Sequence, residues 1–349
     1  MMCQSLTAGS FSKFEKIIPQ HIVMSRLLPV PSVIETQISE KLISVLQRYF
    51  LIPVHVDRVY SLVGHLHPLY LIRLSNESHL LLKCAPGPKT SLPRREHILL
   101  DTEARVLSLL NRRFMHYIPQ LLHYDPRGEI LGPPLLVRHH TPGSTLEDIT
   151  LRLTTQERVS IDRNLGTLAK QIAQQSSDTF GNLGQVASGR GNNSWREAFL
   201  SLFEGLLREA EDVFVNIPYG EIRYHILQKS PALDEILVPR LVLVDFGHPS
   251  QVLVDPESKR LCGITGFGGA VWGDVYMAQI FENPSSSVME GFGSSISRSP
   301  TARTRQLLYT CYRAIHRIVL QYYRKDQDNA ADMDARRQLM TALGRMSLL

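Results

Sequence analysis

Leu241–Asp274 reads LVLVDFGHPSQVLVDPESKRLCGITGFGGAVWGD, and the fold turns on this stretch. Its apolar runs, Leu241–Val244, Val252–Val254 and Leu261–Ile264, are short and rich in β-branched residues, which suits strands. His248-Pro249-Ser250 and Asp255-Pro256-Glu257-Ser258 stand between the runs and are turn formers. The stretch therefore predicts a strand-rich hairpin. It interrupts a half of the chain whose other segments have helical spacing: 154–174, 194–213, 303–323 and 334–346.

Upstream the pattern changes. Residues 31–50 place Val33, Ile34, Ile38, Leu42, Ile43, Val45 and Leu46 at helical spacing, with Pro53 beyond, which predicts one amphipathic helix. Residues 56–84 contain β-branched and aromatic runs separated by Ser75-Asn76-Glu77-Ser78, the signature of an antiparallel sheet. Leu99–Leu110, LLDTEARVLSLL, is rich in helix formers and should pack on that sheet. Two further strands and the turn Pro142-Gly143 follow. The expectation is an α+β, two-lobed chain: a weakly ordered arm over 1–30, a β-rich lobe over 31–140 and a helical lobe over 141–349. The Ser- and Gly-rich tract 283–300 is read as a mobile loop.

Composition narrows the function. The chain has 349 residues, of which 43% are hydrophobic, enough for a large core. Its net charge of +5 comes from 38 basic and 33 acidic residues that are interspersed rather than in runs, which argues against a nucleic-acid partner. No stretch of membrane-spanning length is apolar, and no signal-length apolar core opens the chain, so a cytoplasmic protein without a membrane partner is expected. Cys3, Cys84, Cys262 and Cys311 are too far apart for a zinc or redox motif and read as free thiols.

The order of four motifs, LLLKCAP (80–86), TEARVLSLL (102–110), PPLLVRHHTPGSTL (133–146) and the 241–274 stretch, resembles the aminoglycoside phosphotransferase family, particularly its fungal members. The resemblance runs from about Leu42 to the C-terminus, roughly nine-tenths of the chain. It implies a protein-kinase-like fold, ATP as the cofactor, and a small-molecule ligand in the cleft between the lobes. Lys83 matches the strand lysine that holds nucleotide phosphates, and Glu103 the helix glutamate that positions it. Taken alone, a lysine and a glutamate twenty residues apart also fit a solvated strand end and a surface charge. Val137, Arg138, His139 and His140 match the segment that offers backbone groups to adenine.

The catalytic positions depart from the family pattern. The family's His-Gly-Asp falls on Val244, Asp245 and Phe246, and its metal-binding asparagine on Gln251. A slip of one residue makes Asp245 the candidate base, with His248 as a second acid/base candidate because histidine titrates near neutrality. The family's second metal ligand, an aspartate, is replaced by Gly266, which has no side chain to offer magnesium. Magnesium is therefore disfavoured, with Gln251 as the only conventional ligand left. Asp274 in the WGD element is expected to cap a helix, and Asp255 to stabilise a turn. Gly64 alone is weak support for a phosphate cradle. Glu204, Glu209, Glu211 and Asp212 share a predicted helix and read as a solvated face.

Three functions follow from these residues. One is a pseudokinase-type binding protein, supported by the altered metal positions. Another is a phosphotransferase using Asp245, supported by Lys83 and Glu103. The third is a cleft turned to non-phosphoryl chemistry, such as cyclisation of a natural product, with Asp245, His248 and Lys83 as acid/base groups.

Overall fold

The computed structural model describes residues 27–62, 65–110, 116–293, 300–323 and 329–349. Gly64, Cys3 and most of the 1–30 arm lie outside them. Six strands form one antiparallel sheet: β1 (Leu27–Pro29), β2 (Val56–Leu62), β3 (Leu69–Leu74), β4 (His79–Cys84), β5 (Leu121–Asp125) and β6 (Leu135–His139), in the order β1-β2-β3-β4-β6-β5. The predicted helix at 31–50 is α1 (Ser32–Gln37) and α2 (Ile43–Leu46), joined by a π turn over Ile38–Leu42.

Side-chain alternation divides this sheet into two faces. Leu80, Leu82 and Cys84 of β4 and Leu135 and Val137 of β6 bury themselves with Ile38, Leu42 and Leu46 of α1–α2. Leu136 points the other way, into the core that holds Leu100, Ala104 and Leu107. Those three belong to α4 (Leu99–Leu110), which follows the short α3 (Arg94–His97). Lys83 and Arg138 share the face of Leu136, so the pleat alone aims both cations at α4.

After β7 (Ser144–Thr145) and α5 (Leu146–Ile149) the chain is mainly helical: α6 (Thr155–Ile172), α7 (Leu183–Ala187) after β8 (Gly181–Asn182), α8 (Trp195–Asp212) and α9 (Tyr219–Lys229). A capping box between Thr154 and Glu157 starts α6, and Ser194 caps α8. The 241–274 stretch supplies β9 (Arg240–Leu243), β10 (Val252–Val254), β11 (Leu261–Ile264) and β12 (Ala270–Gly273). It forms two nested ladders: β10 pairs with β11 and β7, and β9 pairs with β12, which also pairs with β8.

Part of the 283–300 tract is ordered, contrary to expectation: Ser286–Phe292 is α10, capped by Ser285 and ended by Gly293 in the left-handed conformation. Its stability comes from close packing on α6. A Cβ on Gly166 would stand 2.0 Å from Val288 O, and one on Gly291 2.0 Å from Arg163 O. Only glycine allows these backbones to meet. α11 (Pro300–Tyr323) and α12 (Asn329–Ser347) complete the lobe. Trp195, Phe199 and Tyr309 stack at ring distances of 5.4–6.4 Å in its core. Among the described residues, no helix is long and apolar enough to cross a membrane.

Candidate functional site

Lys83 of β4 donates to Glu103 of α4 at 2.8 Å, as their sequence positions predict. Glu103 is 4% exposed and also faces Arg138, whose Nε is 3.4 Å from Oε1. Burial would raise the Glu103 pKa, but Lys83 and Arg138 outweigh it and hold the carboxyl below its ordinary range. One carboxylate thus serves two cations. Arg138 entered the sequence reading only through its backbone; the period-2 face it shares with Lys83 was the signal for its side chain.

The backbone expected to face adenine at Val137 and His139 lies within the sheet. β6 lies between β4 and β5, so its backbone is committed to the sheet on both sides. The N–H of His139 donates to Gln120 O at 2.9 Å and that of His140 to His79 O at 3.0 Å. The Val137 side chain is fully buried on the α1–α2 face.

Asp245 follows β9 and lies under an arginine from the other lobe. Arg95 Nη2 of α3 reaches its Oδ2 at 3.1 Å. Burial raises the Asp245 pKa, but Arg95, then His316, His248 and Arg313, outweigh it and keep the carboxylate ionised. A base so stabilised is a weak proton acceptor, since general bases work best with a pKa near the operating pH. Gly269 makes the arrangement possible, because a Cβ there would come 2.1 Å from Arg95 Nη2 and 2.9 Å from Asp245 Oδ2. Gly268 likewise admits Leu99, whose Cγ would lie 2.4 Å from a Cβ.

The neighbours of Arg95 extend this interlobe contact. Arg94 pairs with Asp212 at 2.7 Å, and the Arg95 N–H donates to Glu209 at 3.3 Å. Glu209 is 4% exposed, which overturns its reading as part of a solvated face. Glu204 and Glu211 hold Arg223 at the surface, as that reading expects of a charged face. On the other side Glu96 takes His67 Nε2 at 3.1 Å.

His248 caps its own turn: Nδ1 lies 2.8 Å from Ser250 Oγ and accepts the Ser250 N–H at 3.3 Å. Burial and Arg317 lower its pKa against the opposing pull of Asp245 and Glu147, which favours the neutral ring. Gln251 and Gly266 do meet in space. Gln251 Oε1 accepts the Thr265 hydroxyl at 2.6 Å and would lie 2.7 Å from a Cβ on Gly266, whose φ is +81°. The two positions that should hold magnesium therefore supply one amide oxygen, already engaged, and no carboxylate. Among the described residues no group of three or more His, Cys, Asp or Glu could hold a metal ion. At these two positions magnesium would find no carboxylate oxygen, the ligand a hard cation takes. A phosphate does fit Lys83, a donor held in place by Glu103.

Asp274 and Asp255 take structural roles. Asp274 accepts from Tyr276 N–H at 3.1 Å, from Tyr309 at 2.8 Å and from Arg305 at 3.1 Å. Asp255 accepts the N–H groups of Glu257 and Ser258 across its turn. Cys84 and Cys311 are buried free thiols, and burial pushes both up to about 12.

No protein-family profile matches the sequence, and no curated protein matches it. Solved structures do. A thermostable mutant of the aminoglycoside phosphotransferase APH(4)-Ia, in ternary complex with AMP-PNP and hygromycin B, is 17% identical with a TM-score of 0.58, covering 84% of this chain and 95% of that one. The streptomycin–ATP–APH(2")-IIa ternary complex is 15% identical with a TM-score of 0.53, covering 99% of both chains. The macrolide 2'-phosphotransferase MphH from Brachybacterium faecium is 14% identical with a TM-score of 0.52, covering 85% of this chain and 97% of that one. The two-lobed architecture is theirs.

Proposed function

From a chain with the fold of the aminoglycoside phosphotransferases, we infer a pseudokinase-type protein that binds a nucleotide in the interlobe cleft through Lys83 and does so without magnesium. The observation that carries this reading is the state of the catalytic positions. Gly266 and Gln251 offer no carboxylate to a metal, and Asp245 is engaged by Arg95 at 3.1 Å. Removal of a metal's charge from a phosphoryl-transfer site costs several kcal/mol of transition-state stabilisation, which is orders of magnitude in rate. The Lys83–Glu103 pair is the part a nucleotide needs in order to bind. The solved neighbours carrying AMP-PNP or ATP support a nucleotide as the ligand class.

Calorimetric titration with ADP and ATP, with magnesium and with chelator, tests this. The expected result is binding of equal strength in both buffers, weakened about tenfold or more by Lys83→Ala, the loss of one charge-assisted contact. Magnesium-dependent binding accompanied by phosphate release would restore the phosphotransferase reading. No nucleotide binding in either buffer would leave the cleft to non-phosphoryl chemistry.

A further inference from the structure

A cavity of about 260 Å³ opens inside the helical lobe between α6, α10 and residues 279–285. It meets the loop after β9 only at Gly247, and Lys83, Glu103, Arg138 and Asp245 take no part in it. Its polar wall comprises Arg158, Asp162, Gln279, Glu282, Asn283 and Ser285, and Leu165, Ile280 and Val288 form an apolar wall.

The charges in this wall are already matched. Arg158 Nε donates to Asp162 Oδ1 at 2.8 Å, and Ser285 Oγ donates to its Oδ2 at 2.8 Å. Glu282 lies 3.3 Å from Arg313 Nε and 3.7 Å from Arg317 Nη2. An ionic ligand would find no uncompensated charge and would have to break one of these pairs. The side-chain amides of Gln279 and Asn283, by contrast, make no hydrogen bond to the protein among the described residues. Free amides can donate and accept at once, as hydroxyl groups can. The apolar wall suits the C–H face of a ring.

We propose that this cavity is a second binding site, separate from the interlobe cleft, for an uncharged, hydroxyl-rich molecule of monosaccharide size. The volume falls just below the roughly 300 Å³ at which pockets for drug-sized ligands begin, which limits the ligand to about one ring. The Gln279 N–H donates to Val244 O at 2.9 Å, so a ligand held by Gln279 abuts the loop that carries Asp245 and His248.

Saturation-transfer NMR on the full chain, with methyl α-D-glucopyranoside as the neutral probe and glucosamine and glucuronate as its cationic and anionic counterparts, tests the site. The neutral probe should bind best. Gln279→Ala should weaken it about three- to tenfold, the loss of one or two neutral hydrogen bonds. Asn283→Trp should abolish binding by filling the cavity, and because Asn283 is exposed the melting temperature should stay at the wild-type value. Absence of binding by all three probes, preference for a charged one, or binding that survives Asn283→Trp would overturn the proposal. ADP titration of the same variants reads the other cleft, so a failure here and a failure of the nucleotide reading are told apart.

Discussion

Asp245 shows how little a residue's place in a motif says about its task. In sequence it is the only carboxylate close to the family's catalytic position, while in the fold it anchors Arg95 from the opposite lobe. Its side chain is 33% exposed, so solvent screening brings the pair toward the roughly 1 kcal/mol of exposed ion pairs and away from the several kcal/mol lost when a buried one is broken. Urea unfolding of Arg95→Ala, Asp245→Asn and the double variant should give a coupling of about 1 kcal/mol. Strict additivity would mean that the contact contributes nothing to holding the lobes together. Glu209 teaches the same lesson: three acidic neighbours on one helix suggested a solvated face, and its burial against α3 depends on a second lobe that no local pattern describes.

Among the elements, those with a long apolar period were legible. The helices α4, α6, α8, α11 and α12 lie where spacing predicts them, and so do the strands of 56–84. α10 was not legible, because seven residues with three serines or glycines carry no period. Packing against α6 decides it, and that packing depends on Gly166 and Gly291. Gly166→Ala drives a methyl group onto Val288 O and should destabilise the protein by about 2 kcal/mol or more, measured by urea unfolding. A loss below about 0.5 kcal/mol, the range of neutral surface changes, would show that α10 can move away at little cost. The strand β6 is an intermediate case. Its existence was legible, but its place between β4 and β5, which pairs the backbone of Val137 and His139 within the sheet, is a property of sheet order.

At the scale of the molecule, buried charge couples the lobes to pH. Glu103 and Asp245 both have pKa values below the ordinary carboxylate range in the folded state. As pH falls, the unfolded chain therefore takes up these protons first, so the stability they contribute is complete above about pH 5 and is lost as pH drops through their folded values. Melting temperatures of wild type and Glu103→Gln, followed from about pH 6 to pH 3, should converge as the pH falls. Parallel curves would show that Glu103 has no net preference for its charged form. The two-lobed class, Lys83 and Glu103 as candidate partners, and the missing carboxylate at Gly266 can be read from the order of residues, because local periodicity and an absent side chain are local properties. Tertiary structure alone decided that Arg95 covers Asp245, that Arg138 shares Glu103, and that α10 folds onto α6. These contacts join residues 35 to 150 positions apart in the chain, and their energy comes from burial and charge pairing that exist only once distant segments have packed together, within a lobe for Arg138–Glu103 and α10–α6 and between lobes for Arg95–Asp245.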